Sequence, residues 1–388
     1  MKKLLKTLCG GVLLALSCAA SAQNADTVQF VFTSDAHYGY TRADFRGEKK
    51  VDAQKVNQAM IAKMNTIQTL TLPDDSGVNG GKAVGPVDFI VEGGDIANRE
   101  EGTQDSSIQC ATDSWKQFTG DYLGMLALTD AAGNKAPVYM IPGNHDVTNA
   151  IGFYKPMYPA KDAGSMAGIY NLMMKPATPV TADTYDYSKD RISYSFDKGG
   201  VHFVFITMWP DSVNRAWIEK DLKKSSSVTP VILFCHDQPD IEAKHLRNPN
   251  GSHDINKTDK FENMVADQMA DGKTISASST LEQAALEKFL SAHKNIVAYF
   301  HGNDHINRVY EWVGPDRKVT LHTVGSDSPM KGSVSAKDET KLGFDLVTID
   351  AKNKMLTVRS AYWNADPADP SAPVVWNIPS SFSLLPRK

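Results

Sequence analysis

The sequence predicts an α/β fold whose chemistry lies beyond the carboxyl ends of its strands. Three observations predict it. Short apolar, β-rich runs recur along the chain, separated by stretches with helical periodicity. Five of those runs stop at residues able to hold a metal: Asp35/His37, Asp95, Asn144/His145, His236 and His301/Asn303/His305. Five of the ten histidines fall at these run ends. Packing does not explain that, because buried His and Asp are costly unless ligated or paired.

Val28–Thr33 (VQFVFT) reads as a strand buried on both faces, with Asp35-Ala36-His37 just beyond it. In an extended turn the carboxylate and the imidazole face one way. Tyr38 and Tyr40 are expected at the mouth of such a site. Ala53–Leu70 carries apolar residues at Val56, Met60, Ile61, Met64 and Ile67, a helical stripe for packing on a sheet. Asp74–Gly85 reads as a loop. Val87–Glu92 is a second strand, followed by Gly93-Gly94, which lets the backbone turn tightly before Asp95. Arg99 is a candidate phosphate clamp, since a guanidinium matches phosphate bidentately. Asp113–Ala131 is expected to be helical.

Pro137–Ile141 is an apolar run ending in IPGNHD. The amide oxygen of Asn144 is a hard neutral ligand, and the imidazole of His145 exchanges a proton near neutral pH. Together on one turn they suit metal-assisted displacement at phosphorus. A hairpin is expected at Ile192–Phe196 and Val201–Thr207 around Asp197–Gly200, then a short helix at Arg215–Lys223. Pro230–Cys235 is a strand ending in His236, Thr280–His293 a helix, and Asn295–Phe300 a strand running into His301. Val319–Val324, Phe344–Ile349 and Met355–Ser360 are expected as antiparallel strands of a closing sheet.

The 388 residues, 41% hydrophobic and 22% charged, suit a globular chain with a sizeable core. Residues 1–22 read as a signal peptide, with Lys2, Lys3 and Lys6, an apolar stretch and an Ala20-Ser21-Ala22 cleavage site. An acylated Cys18 is the lesser alternative, because Ala15-Leu16-Ser17 is a poor lipobox. The expected mature protein, 23–388, is a single domain in the periplasm or secreted, with insertions near 100–114, 150–190 and 241–279. Cleavage removes three lysines and no acids, taking net charge from −4 to −7. That balance argues against a nucleic-acid polymer as partner and leaves phosphate recognition to local cations and metals. No other run approaches the ~18 apolar residues of a membrane span. Cys110 and Cys235 could pair in an oxidising compartment, although a small buried hydrophobe is the plainer reading of Cys235.

The motifs Asp35-x-His37, Gly94-Asp95, Gly143-Asn144-His145-Asp146, the His236 strand end and Gly302-x-x-His305 follow one order along most of the mature chain. In that order they resemble the calcineurin-like metallophosphoesterases. The resemblance implies a four-layer α/β/β/α sandwich and a centre of two divalent or trivalent metals (Zn, Mn or Fe). It assigns Asp35, His37 and His305 to one metal, Asp95 to the bridge, and Asn144 and His236 to the second metal. It gives His145 the leaving group. Where the family usually reads Gly-His-x-His, this chain has Gly302-Asn303-Asp304-His305, so Asn303 replaces an imidazole of the second metal and that site is expected to be weak. His301 and Asp304 are the nearby substitutes. Asn98 stands where many relatives carry Asp, which leaves Asp146 to support His145 and puts Asn98 and Tyr38 near the substrate. The implied activity is hydrolysis of small phosphate esters, with monoesters favoured. Diesters, including lipid or nucleotide diesters, or a non-catalytic phosphate- or metal-binding protein are the alternatives.

Overall fold

A computed structural model describes residues 27–98, 109–147, 162–241 and 280–388. Its strands form two large sheets. The first contains β1 (Thr27–Thr33), β4 (Phe89–Glu92), β5 (Val138–Met140), β12 (Gly343–Asp350), β13 (Met355–Tyr362), β14 (Val375–Trp376) and β15 (Ser380–Ser383). Their order is β14-β13-β12-β1-β4-β5, with β15 also paired to β13. β1 runs parallel to β4, and β4 to β5, while β12 lies antiparallel on the other side of β1.

The second sheet has the order β10-β11-β9-β8-β7-β6. These strands are β6 (Ser193–Lys198), β7 (Val201–Ile206), β8 (Val231–Phe234), β9 (Ile296–His301), β10 (Arg308–Trp312) and β11 (Leu321–Gly325). β7, β8, β9 and β11 are mutually parallel, so their carboxyl ends share one rim. A separate hairpin joins β2 (Thr41–Phe45) to β3 (Glu48–Asp52).

Alternation along the strands explains the layers. Phe30 and Phe32 of β1 face the second sheet, with the Phe30 ring 6.1 Å from Phe203, 5.9 Å from Phe234 and 5.7 Å from Phe300. These buried rings, with Phe89 and Phe205, are the inter-sheet core. Each contributes about 1.5–3 kcal/mol by burial, and ring pairing adds about 0.5–1.5 kcal/mol. The alternate residues Val31, Ile90, Met140, Val204 and Leu233 belong to a second buried cluster that includes the helices. Those helices are α1 (Ala53–Met64), α2 (Ala111–Phe118), α3 (Asn144–Val147), α4 (Gly164–Met174), α5 (Ser212–Leu222) and α6 (Thr280–Ala292). Asp52 caps α1 and Asp211 caps α5, each accepting a main-chain N–H. This is a mixed α/β fold of two facing sheets with helices, consistent with α/β/β/α layering. No helix among the described residues is long and apolar enough to cross a membrane.

Four expectations change. The helix expected over Asp113–Ala131 runs from Ala111 to Phe118 and through one π turn to Leu123. Beyond it Leu126 and Leu128 are buried while Ala127 is exposed, an alternation of two residues that only extended chain produces. Val319–Val324 does not join β12 and β13, because β11 pairs parallel with β9 in the other sheet. The expected 150–190 insertion, of which 162–190 lie among the described residues, joins the core: Met166, Ala167, Ile169, Tyr185 and Tyr187 are buried on the helix side. The hairpin turn narrows to Gly199-Gly200 between β6 and β7. Cys110 and Cys235 are both free, and Cys235 is fully buried. The signal-peptide reading, the 242–279 segment and most of the 100–114 segment lie outside the described residues.

Candidate metal centre

The two parallel strands β1 and β4 end side by side, and their loops stay zipped past the sheet. Asp35 N–H donates to Gly94 O at 2.8 Å, His37 N–H to Asp95 O at 2.9 Å, and Tyr38 N–H to Ile96 O at 2.8 Å. Within that ladder Asp35, His37 and Asp95 take positive φ values of 59°, 44° and 57°. Asn303 and His305, after β9, do the same at 64° and 56°. Left-handed backbone at a non-glycine residue costs on the order of 1–3 kcal/mol and persists only where the surroundings enforce it. Here it brings the side chains of Asp35, His37, Asp95 and His305 to one rim. Asp, Asn and His tolerate it better than most residue types.

The result is a buried cluster. Ligand atoms of Asp35, His37, Asp95 and His305 all lie within 4.8 Å of one another. His305 Nε2 is 3.1 Å from Asp35 Oδ1 and 3.3 Å from His37 Nε2. Asp95 faces both ways: Oδ2 is 3.6 Å from His37 Nε2, and Oδ1 is 3.4 Å from His236 Nε2. On that second side Asn144 Oδ1 lies 3.1 Å from His236 Nε2. Close packing makes this approach possible, since a Cβ at Gly94 would lie 2.6 Å from Gly143 N and 2.7 Å from His236 Nδ1.

Two imidazoles are oriented from behind by main-chain carbonyls. His236 Nδ1 lies 2.8 Å from Gly93 O, and His145 Nδ1 lies 2.7 Å from Asn98 O. With the ring hydrogen on Nδ1, each presents a lone pair on Nε2 to the site. This donor set of carboxylate, imidazole and amide suits Zn, Mn or Fe, and the residues present fit a pair of such ions.

Burial, and then the Lys331 charge, push the pKa of His37 well below the usual imidazole value. The same two causes lower His145. Burial opposes charge on Asp95, but His236 and His145 hold its carboxyl well below the ordinary range. Burial also opposes charge on His236, yet Asp95 raises it well above the ordinary imidazole value.

Several expected roles are corrected. Asp146 does not support His145. Its Oδ1 accepts Ala97 N–H at 2.9 Å, and its Oδ2 accepts Ile96 N–H and Gly143 N–H, both at 3.0 Å. It clamps the IPGNHD turn onto the Asp95 loop, and burial raises its pKa to about 7. Tyr38 is fully buried, donating its hydroxyl to Asp121 Oδ2 at 2.9 Å, and so does not reach a substrate. Tyr40 is the tyrosine at the surface, 37% exposed. Asn98 acts through its carbonyl on His145, and its buried Oδ1 has no hydrogen-bond partner among the described residues. Asn303 donates its main-chain N–H to Asp35 and its side-chain amide to Gln238 Oε1 at 2.7 Å. Neither substitute serves: His301 is held by Gly302 O and the Tyr310 hydroxyl, and Asp304 pairs with Arg308. Arg99 lies outside the described residues.

Sequence reasoning missed Lys331, Ser328 and Gln238. The strand-tip rule applied once more, to β11, leads to the first two, because Ser326-Asp327-Ser328 and Lys331 follow that strand as ligands follow the others.

A family model described as calcineurin-like phosphoesterase matches residues 28–307. Among solved structures, a dimetal phosphatase from Danio rerio is similar at 10% identity and TM-score 0.45, over 86% of this chain and 95% of that one. A phosphopantetheinyl hydrolase from Mycobacterium tuberculosis is similar at 13% identity and TM-score 0.33, over 79% and 91% respectively. No curated protein sequence matches. The family match covers most of the chain and includes Asp35, His37, Asp95, Asn144, His236 and His305. The chain belongs to the calcineurin-like phosphoesterases, metal-dependent hydrolases of phosphoric esters.

Proposed function

We propose that the protein is an exported phosphomonoesterase acting on small phosphorylated compounds with two metal ions. The observation that carries this reading is the position of Asp95 between two ligand groups, Asp35/His37/His305 on one side and Asn144/His236 on the other. Paired ions in such a site bind phosphate oxygens and supply a hydroxide nucleophile. The chain's own part is to hold, orient and move a proton. Asp146 fixes the turn bearing Asn144 and His145. Asn98 O fixes the His145 ring, and His145 N–H anchors Asp95 Oδ1 at 2.7 Å. His145 Nε2 is the proton-handling atom. Neutral at rest, it takes a proton from solvent water once a phosphate's negative charge lies beside it, and returns to the neutral imidazole on delivering that proton to the leaving oxygen.

Export follows from the Lys2-to-Ala22 pattern, and a scavenging phosphatase suits that compartment. The Tyr- and Met-rich composition of the 162–190 segment would fit a lipid or aryl leaving group, but its buried residues serve the core and lend that little support. The test is turnover of 4-nitrophenyl phosphate against bis-4-nitrophenyl phosphate with added Zn, Mn or Fe. Higher kcat/KM on the monoester is expected. Preference for the diester overturns the monoesterase reading, and phosphate binding without turnover at any metal makes the protein a binder.

A further inference from the structure

We infer that Asn57, on helix α1, is a positioning residue for the first metal position: its amide holds the peptide between Ala36 and His37, and with it the left-handed turn that aims the His37 ring. This deepens the metal-centre reading above and rests on it. Asp35 and His37 take left-handed φ values of 59° and 44°, with Ala36 between them. The two peptides that flank Ala36 decide whether those values persist, because φ of His37 is a rotation of one of them about its N–Cα bond. Each peptide is held at both ends. In the first, Asp35 O accepts the Ser328 hydroxyl at 2.8 Å, and Ala36 N–H donates to the buried Glu92 carboxyl. In the second, His37 N–H donates to Asp95 O at 2.9 Å, and Ala36 O accepts an Asn57 Nδ2 hydrogen at 2.9 Å. A flip of the second peptide returns His37 to an ordinary φ, and it breaks both of those bonds. The ring that this turn delivers has its Nε2 3.6 Å from Asp95 Oδ2 and 3.3 Å from His305 Nε2.

Asn57 is an unusual residue for its place. It is fully buried in the interior of α1, among the core residues Val56, Met60, Ile61 and Met64. Asparagine is a poor helix-interior residue, and an amide leaves water at a cost unless its hydrogen bonds are made. Nδ2 uses both of its hydrogens, donating to Ala36 O and to Ala53 O, each at 2.9 Å. Two carbonyl neighbours also fix which end of the amide is the nitrogen. Oδ1 is buried with no hydrogen-bond partner among the described residues. Leucine or alanine would suit this helix face better on every local count. A residue that breaks local rules is expected where the fold serves a site. Among the described residues, the contact this amide makes beyond its own helix is the Ala36 carbonyl. Ala36 is itself fully buried, so losing the donor leaves a buried acceptor unpaired.

The experiment compares wild type, Asn57→Leu, Asn57→Ala and Met60→Ala. Asn57→Leu keeps the size and removes the donor, whereas Asn57→Ala leaves room for a water to replace it. Met60→Ala, on the same helix, controls for lost packing. Zn²⁺ and Mn²⁺ affinities are measured by calorimetry on metal-free protein, and stability by thermal melting. Hydrogen exchange is followed by mass spectrometry on peptides covering residues 33–38 and β12. Asn57→Leu is expected to weaken the tighter metal site about 10–100-fold, the usual effect of removing a group that orients a ligand from behind. Asn57→Ala should lose less. In both, exchange across residues 33–38 of the metal-free protein should rise about 10-fold while β12 is unchanged. Met60→Ala should lower the melting temperature and leave metal affinity within about 2-fold of wild type. Wild-type affinity in the Asn57 variants overturns the proposal, and an equal loss in Met60→Ala makes Asn57 a core residue only. Should Asn57→Leu fail to fold, Asn57→Ala decides. Should wild type bind neither metal, the metal-centre reading fails, and the exchange comparison still decides whether Asn57 holds the turn.

Discussion

The two halves of the centre are unequal. On one side Asp35, His37 and His305 join Asp95 in a cluster spanning no more than 4.8 Å. On the other, among the described residues, Asp95 faces His236, whose Nε2 lies 3.1 Å from Asn144 Oδ1, one imidazole and one neutral amide. Asn303, where the family resemblance calls for a further imidazole, has its amide turned to Gln238. The nearby His301 is locked between Gly302 and Tyr310. Both halves use the same devices, strand ends and main-chain anchors, so the difference lies in ligand count and charge alone. A site with fewer and less charged donors binds its ion less tightly, while the shared carboxylate couples the two.

The largest effect is expected where the halves meet. Asp95→Asn keeps the shape of the side chain but removes the negative charge that faces both ligand groups. It should strip both metals and reduce turnover about 10³-fold or more, because several kcal/mol of transition-state stabilisation go with them. Retention of one tightly bound ion would show that the Asp35 half stands alone.

His145→Ala is the next largest and separates chemistry from metal retention. The imidazole lies 3.8 Å from Asp95 Oδ2 through Nε2, and its backbone N–H, which the substitution keeps, anchors Asp95 Oδ1. Metal content should stay at the wild-type value while kcat falls about 10²–10⁴-fold, the usual range for a positioned acid or base. Unchanged turnover refutes the proton-handling role.

The inequality itself is tested by dialysis. Wild type should leave extensive dialysis with about one metal per chain, and a stoichiometry of two would reject a weak second half. Asn303→His supplies the missing imidazole at a position with φ of 64°, which His tolerates. It should raise retention of the second ion about 10-fold, the low end of what a ligand-shell change produces.

How much of this was readable beforehand follows from the kind of contact involved. Asp35, His37, Asp95, Asn144, His236 and His305 were found because each directly follows an apolar run, and strand direction alone carries them to one rim. The sandwich layering came from the resemblance, since periodicity says which residues are buried but not which sheet they face. β2 and β3 were missed because only Arg42, Phe45 and Val51 are buried among ten polar-rich residues. The β11 pairing was misjudged because a strand's partner is not written in its own residues. The true supports of His236 and His145 are the carbonyls of Gly93 and Asn98, groups that every residue possesses. Asp146 was misassigned for the same reason: its partners are backbone N–H groups.

The smallest effect on the centre is expected at Asp345, a buried carboxylate on β12 with no imidazole among the described residues beside it to offset its charge. Where His236 and His145 hold Asp95 ionised, burial raises Asp345 from 3.8 to about 7, although Ser360 and Asn307 donate to it. The folded state therefore favours the protonated form. Its contribution to stability is complete below the unfolded value near pH 4 and is lost as pH rises through about 7. Asp345→Asn carries no proton to lose, so the stability of the variant relative to wild type should rise between pH 4 and pH 8. At 1.36 kcal/mol per unit the gain is at most about 4 kcal/mol. Unfolding by denaturant at the two pH values measures it. A difference that does not change with pH would mean Asp345 is ionised in the fold, and that burial without a cationic partner is not what separates it from Asp95.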